Sequence, residues 1–145
     1  MADSSVQLSI ERHICKVDLP NEYFQSFEKK RLPLAWGALF EFDAVSADET
    51  IVAVISTSKR MTSGGKHGTG KTHKVLLDLA FLFGTECDIR LGVFTEECMW
   101  RWAQSQQVKG RIAPNIKLKL IQLSDSHRLS LEESRLIASN EVRPR

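Results

Sequence analysis

The sequence predicts an α/β fold in which a mixed (α+β) central sheet is flanked by helices, within a single domain spanning residues 1–145. Two strand-like runs, 35–45 and 51–56, are separated by a short polar turn, and this pattern predicts an antiparallel hairpin. A helical pattern at 72–83 and a third strand at 88–94 follow the hairpin. A hairpin followed by a helix and a strand makes a mixed sheet with helices on its faces.

The N-terminal segment fits two patterns. Val6, Leu8 and Ile10 alternate as they do in a strand. Ile10, Ile14 and Val17 instead follow helical spacing, so both assignments stay open.

A helix is predicted at 21–30, because Tyr23, Phe24 and Phe27 lie on one face of such a helix. The lysines at its C-terminal end suit the negative end of the helix dipole. Pro33 then ends the segment.

In the predicted hairpin, the side chains of the first strand alternate between two faces. Phe40 and Phe42 point to one face, and Glu41 and Asp43 point to the other. The structural interpretation of Asp43 is an acid that pairs with Lys59 or binds turn amides.

The C-terminal third adds a helix, a strand and a last helix. Thr95 is the predicted cap of a helix at 96–104, and Gly110 ends that unit. The strand predicted at 116–123 carries lysines on one face at its start, which indicates a position near a sheet edge. Ser130 opens a capping box and predicts the start of the last helix.

Composition favours a soluble, cytoplasmic protein without a membrane partner. Hydrophobic residues make up 42% and charged residues 26% of the chain, as in ordinary globular proteins. The three cysteines form no C-x-x-C pair, and their odd number fits a reducing compartment. No export signal is visible, and the longest apolar stretch, 75–83, is far shorter than the roughly 20 residues of a membrane helix.

The net charge of +2 is too small to require a polyanionic partner, but the charge is locally one-sided. Residues 56–74 contain glycines, lysines and an arginine and no acidic residue. Such a segment is either a solvated connection or an anion site before a helix N-terminus. The candidate phosphate-binding residues are Lys59, Arg60, Lys66, Gly68, Gly70, Lys71, Thr72 and Lys74.

Part of this segment, Gly65 to Thr72, matches the G-x-x-x-x-G-K-[ST] pattern of a nucleotide-binding P-loop. A P-loop requires a buried strand that ends at the first glycine and a helix that starts at the lysine. The apolar run 51–55 stops well before Gly65, so only the helix is in place. No apolar strand ending in an aspartate for magnesium is found downstream.

The predicted order of elements over residues 21–105 resembles the core of the PD-(D/E)xK nuclease superfamily, which has the restriction-endonuclease-like fold. The family carries an aspartate on its second strand and Glu/Gln-x-Lys on its third. Asp43 stands at the first of these positions, whereas residues 54–56 match neither of the others. The resemblance therefore implies a degenerate catalytic motif.

This resemblance implies roles for specific residues. Asp43 would be a catalytic residue and a Mg²⁺ ligand, because hard cations take oxygen ligands. Family members can move a catalytic residue to a neighbouring element, which makes Glu41, Lys59, Lys71 and Lys74 the candidates to complete the set.

We therefore expect a protein that binds nucleic acid or another phosphate-bearing ligand through the segment Lys59 to Lys74, without hydrolysis and without a cofactor. One alternative is a divergent nuclease that uses Mg²⁺. A second is a P-loop nucleotide-binding protein. A third is an interaction module, such as a homodimer formed through a helix that carries Trp100 and Trp102.

Overall fold

The structure of the protein, a computed structural model, describes residues 5–60 and 69–142, with side chains up to residue 137. The strands are β1 (Phe27–Pro33), β2 (Leu39–Ser46), β3 (Ile51–Ser56), β4 (Ile89–Phe94) and β5 (Ile116–Leu120). The helices are α1 (Ser5–His13), α2 (Leu19–Tyr23), α3 (Thr69–Phe83), α4 (Glu97–Val108) and α5 (Asp125–Val142). A π-helical turn, Ile14–Asp18, joins α1 to α2.

The five strands form one sheet in the order β1-β2-β3-β4-β5. Strands β1, β2 and β3 pair antiparallel, whereas β3, β4 and β5 pair parallel. The predicted mixed sheet flanked by helices is thus confirmed, as are the hairpin of β2 with β3 and the edge position of β5.

Helices cover both faces of the sheet. On one face, Ile10 and Ile14 from the N-terminal helices and Leu131 of α5 pack against the sheet in one apolar cluster. On the other face, Val75 of α3 and Met99 of α4 belong to a second cluster. The helical spacing of Ile10 and Ile14 therefore describes the N-terminal segment, and the strand alternative is wrong.

The helix predicted at 21–30 is wrong. Helix α2 ends at Tyr23, because Phe24 adopts the left-handed conformation with φ 58°. The chain then enters β1, in which Phe27 and Leu32 are buried. Between them lie four exposed charged residues, so this edge strand shows little of the period-two pattern that reveals a strand.

Two predicted helix caps are also wrong. The cap of α4 is Glu96 and not Thr95, whose side chain is buried and donates a hydrogen bond to Glu96. Helix α5 begins at Asp125, so Ser130 lies inside it. At this helix start, the amide of His127 donates to the Ser124 hydroxyl at 3.3 Å. The bond satisfies one of the first amides of the helix, which have no acceptor within the helix itself.

Within residues 5–60 and 69–142, no helix is long and apolar enough to cross a membrane.

Candidate functional site

A β-bulge places Asp43 at the point where β2 and β3 separate. The pairing of β1 with β2 shifts between Glu28 and Lys30. Two residues of β2, Asp43 and Ala44, therefore lie opposite Lys29 alone. Bulges re-aim side chains, and this one turns the Asp43 carboxylate towards β3.

The Asp43 side chain takes the place of a backbone acceptor. On this side of the hairpin, the pairing of β2 with β3 ends at Ala44 and Ala53. Beyond it, the amide of Ile55 donates to Asp43 Oδ2 at 2.7 Å. The structural role predicted for Asp43 thus exists, but its donor is a strand amide and not a turn amide or Lys59.

Two more carboxylates lie near Asp43. Burial raises the pKa of Asp43, its hydrogen bond to the backbone lowers it, and the charge of Asp78 raises it further. Burial likewise raises the pKa of Glu11 to about 7, and the charges of Asp43 and Asp78 act in the same direction. Lys29 and Lys74 act against both shifts without cancelling them.

These charges come from both sides of the sheet. Glu11 belongs to α1, whose Ile10 packs on one face, and Asp78 belongs to α3 on the other face. Lys74 Nζ donates to Asp78 Oδ2 at 2.8 Å. Partial burial acts to lower the pKa of Lys74, but this hydrogen bond and the neighbouring carboxylates raise it overall. Asp43 thus interacts electrostatically with carboxylates from both sides, and we call the three the Asp43 cluster (Glu11, Asp43 and Asp78).

The Asp43 cluster is not a preformed metal site. Among the described residues, no three histidine, cysteine, aspartate or glutamate side chains are placed to hold a metal ion together. Glu41, the other predicted acid of β2, is exposed and lies 4.0 Å from Arg31. Glu41 is also not among the charges that dominate the pKa of Asp43.

The described parts of the basic segment lie at the end of β3. The strand ends at Ser56, well before Gly65, and residues 57–60 continue without strand structure. Lys59 is exposed, and the amide of Arg60 approaches the Cys98 sulfur at 3.5 Å. Lys66 and Gly68, with the rest of 61–68, lie outside the described residues.

The other side of the basic segment forms the first turns of α3. This helix begins at Thr69, so Gly70, Lys71 and Thr72 are helical, and the helix does not start at the lysine as a P-loop requires. Thr72 Oγ1 donates to the Thr69 carbonyl at 3.0 Å. Lys71 is exposed.

A narrow crevice lies between α3 and the carboxyl end of β3. It is lined by Ile55 and Ser56 on the strand side and by Val75 and Asp78 on the helix side. Its empty volume is about 210 Å³. Because α3 connects the carboxyl end of β3 to the start of the parallel strand β4, its first turns lie at the carboxyl end of β3, and Lys59 and Lys71 belong to the same end of the molecule.

A fourth carboxylate, Glu96, lies at the end of the neighbouring strand, and nothing in the sequence pattern indicated its role. Its side chain is 3% exposed and accepts hydrogen bonds from Arg128 Nη1 at 2.7 and 2.9 Å. Arg135 Nη1 lies 3.0 Å from Glu96, and its second Nη donates to the Thr57 carbonyl. Burial acts to raise the pKa of Glu96, but the two arginines and the Thr95 hydroxyl lower it below its usual range.

The tryptophans of α4 are used within the fold. Trp100 Nε1 donates to the Leu118 carbonyl at 3.2 Å, and both Trp100 and Trp102 are half-buried against the second cluster. Trp36, in the turn between β1 and β2, is 61% exposed.

Comparison with protein-family models, with curated proteins and with solved structures found no match. The function has to be argued from the site itself.

Of the residues that form the Asp43 cluster, sequence reasoning found Asp43 and missed the other two. The helical spacing of Ile10 and Ile14 places Glu11 beside the buried face of α1, and this was the available signal. Asp78 interrupts the apolar run of α3, and an acid in such a run also indicates a special environment.

Proposed function

We propose that this protein binds nucleic acid through its phosphate backbone, at the end of the sheet where β3 stops and α3 begins. One observation carries the proposal: Ser56 and Val75 line one crevice, so the carboxyl end of β3 and the first half of α3, to which the two described parts of the basic segment attach, are neighbours. Lys59 follows β3 and Lys71 lies in the first turn of the 15-residue helix, whose first amides favour an anion.

The shape of this surface favours a polymer over an enclosed small molecule. Pockets for small ligands usually measure roughly 300–1,000 Å³. The space in the crevice that a water-sized sphere can enter is only about 10 Å³, and the lysines at this end of the molecule are exposed. An open basic surface can bind an extended phosphate backbone, because the charged phosphates do not require a deep pocket. A mononucleotide in a P-loop is the weaker proposal, because β3 ends well before Gly65.

The experiment is a salt titration of duplex DNA binding by two matched double variants. Lys59→Ala/Lys71→Ala removes two exposed lysines at the proposed site. Lys109→Ala/Lys117→Ala removes two exposed lysines, one after α4 and one at the start of β5, which is the opposite end of the parallel strands. Both variants change the net charge equally.

We expect the first variant to reduce the slope of log K against log salt by about 0.9 for each lysine that binds a phosphate in the wild type, and the second to leave it unchanged. The fall in affinity should be similar for unrelated sequences, because interactions with the backbone carry no base information. Single-stranded DNA and RNA are titrated in parallel. Equal slopes for both variants, or no binding by the wild type to any of these polymers, would contradict the proposal. In the second case, a homodimer or another protein-interaction role is the better account, and size measurement in solution tests it.

A second candidate is a divergent nuclease of the PD-(D/E)xK type that uses Mg²⁺. The observation in its favour is the Asp43 cluster, because Glu11 and Asp78 add carboxylates that the degenerate motif lacked. Raised carboxyl pKa values mark groups whose negative charge is poorly compensated, and such groups gain from a cation. The described side chains do not hold a metal ion by themselves, so substrate phosphate would have to supply oxygen ligands.

Cleavage of plasmid and of short duplexes, with Mg²⁺ or Mn²⁺ and with EDTA, tests this candidate. Asp43→Asn is the informative variant, because an amide oxygen can still accept the Ile55 hydrogen bond while the charge is removed. Metal-dependent cleavage that disappears in Asp43→Asn supports the nuclease. Absence of cleavage together with salt-dependent binding leaves the binding function alone.

A cytoplasmic location belongs to the same proposal. Cys15, Cys87 and Cys98 are all free thiols, as expected in a reducing compartment.

A further inference from the structure

Two histidines meet where α1 ends and α5 begins. His13 is the last residue of α1, and His127 lies in the first turn of α5. Their rings are 4.9 Å apart between centroids and meet edge to face at 67°. His13 is exposed and His127 is half-buried, so solvent reaches the pair from one side.

We propose that His13 and His127 form a surface site for a borderline transition-metal ion of the Zn²⁺, Ni²⁺ or Cu²⁺ class, with water in the remaining positions. With metal–nitrogen distances of about 2.0–2.1 Å, the centroids of two imidazoles on one ion lie roughly 4.5–5.2 Å apart for angles of about 90–110° at the metal. The observed 4.9 Å falls inside this range. The spacing of the two rings therefore fits one shared ion.

The chemistry of the donors selects the class of metal. Imidazole nitrogen suits zinc, nickel and copper, whereas magnesium requires oxygen ligands. This site is thus separate from the Asp43 cluster, which consists of carboxylates. It does not rest on the proposed function, because neither histidine belongs to the basic segment.

The position of the site gives it a structural consequence. Helices α1 and α5 pack against each other, and Ile10 and Leu131 belong to one apolar cluster. An ion bound to both rings binds only the folded arrangement of the two helices. Metal binding therefore stabilises the folded protein and resists separation of α1 from α5.

The test is metal titration of the whole protein after treatment with EDTA, followed by calorimetry and by thermal unfolding with Zn²⁺, Ni²⁺, Cu²⁺ and Mg²⁺. We expect one transition-metal ion per chain and a metal-dependent rise in Tm, with no rise for Mg²⁺. His13→Gln and His127→Gln should each weaken metal binding by at least about tenfold, because even the loss of an outer-shell partner costs a metal site about 10–100-fold in affinity. The double variant should lose little more than either single one, because one ion needs both rings.

His73→Gln is the matched control, because His73 is an exposed histidine on α3 and should leave binding unchanged. Circular dichroism and Tm without metal show whether each variant is folded. Three results would overturn the site: no binding by the wild type at 100-fold molar excess of metal, equal binding by His13→Gln and wild type, or metal-dependent dimers that account for all bound ion.

Discussion

Glu96 and Asp43 are two carboxylates at the same end of the sheet, and their surroundings differ. Two arginines and a hydroxyl surround Glu96, and they lower its pKa although the side chain is 3% exposed. Burial, and then the charge of Asp78, raise the pKa of Asp43, and the single backbone amide that binds its carboxylate does not offset them. The fold itself supplies positively charged partners and a hydroxyl donor for Glu96, whereas the charge of Asp43 is only partly compensated.

This difference separates a structural site from a candidate functional site. Arg128 and Arg135 link α5 to the residues that follow β3 and β4, since they also bind the carbonyls of Thr57 and Thr95. A group that is compensated in this way has no need of a ligand. Within the Asp43 cluster, Asp43 and Glu11 carry poorly compensated charge at the end of the sheet that also carries the exposed lysines, and perturbed groups of that kind are typical of binding and catalytic sites.

The largest expected effect comes from removing Glu96. Glu96→Ala leaves Arg128 without its carboxylate acceptor and Arg135 without its ion-pair partner, and we expect a loss of about 2–4 kcal/mol in the free energy of unfolding, measured with urea. Glu97→Ala is the neighbouring control. Its carboxylate is exposed and paired with Arg101 within one helix, so its loss should cost less than about 1 kcal/mol. Equal losses for the two variants would contradict the structural role of Glu96.

Substitutions at Asp43 should separate its charge from its hydrogen bond. Asp43→Ala leaves the amide of Ile55 without its acceptor, and we expect it to cost about 1–3 kcal/mol. Asp43→Asn retains an oxygen that can accept this bond and should cost clearly less, because it also removes a poorly compensated charge. Urea unfolding of both variants at pH 8 measures the difference. Equal losses for the two variants would show that an acceptor for the amide of Ile55 does not stabilise the fold.

Glu11→Gln should stabilise the protein at high pH. The folded protein holds a proton on Glu11 up to about pH 7, whereas the ordinary glutamate value is 4.5, so the folded state binds more protons between these limits. Wild-type stability should therefore fall as pH rises from 4.5 to 7, relative to the variant. We expect the variant to be about 1–2 kcal/mol more stable at pH 8, after allowance for partial exposure of the side chain, and the gain to vanish near pH 4. Parallel stability curves for the two proteins from pH 4 to 8 would show that Glu11 titrates normally.

The fold was predictable where one local pattern was enough. The run 51–55 is apolar throughout because β3 is buried on both faces, and a turn before it predicts the hairpin. Segment 21–30 was not predictable in this way, since Tyr23, Phe24 and Phe27 fit a helix face and only pairing with β2 shows that the chain becomes a strand.

The candidate site was predictable only in part, because local patterns can reveal a single residue but not its distant neighbours. Asp43 was singled out because its position on the second predicted strand matches the aspartate of the family that the order of elements resembles. Its neighbours Glu11 and Asp78 come from helices on opposite faces of the sheet, and the bulge at Asp43 has no glycine or proline to mark it. The pairing of Glu96 with Arg128 and Arg135 also joins distant segments, and single-sequence patterns carry no information about such pairings.

The most direct measurement of the central claim is a two-dimensional ¹H–¹⁵N NMR titration of the wild type with a short DNA duplex at low salt. It maps the contact surface without changing a residue. The account predicts that the largest shifts occur for the amides of 57–60 and 69–74, where β3 ends and α3 begins, and that they reverse when salt is added. The amide resonances of residues 108–118, at the opposite end of the parallel strands, should not shift. Shifts concentrated at 108–118, or none at millimolar duplex, would contradict it.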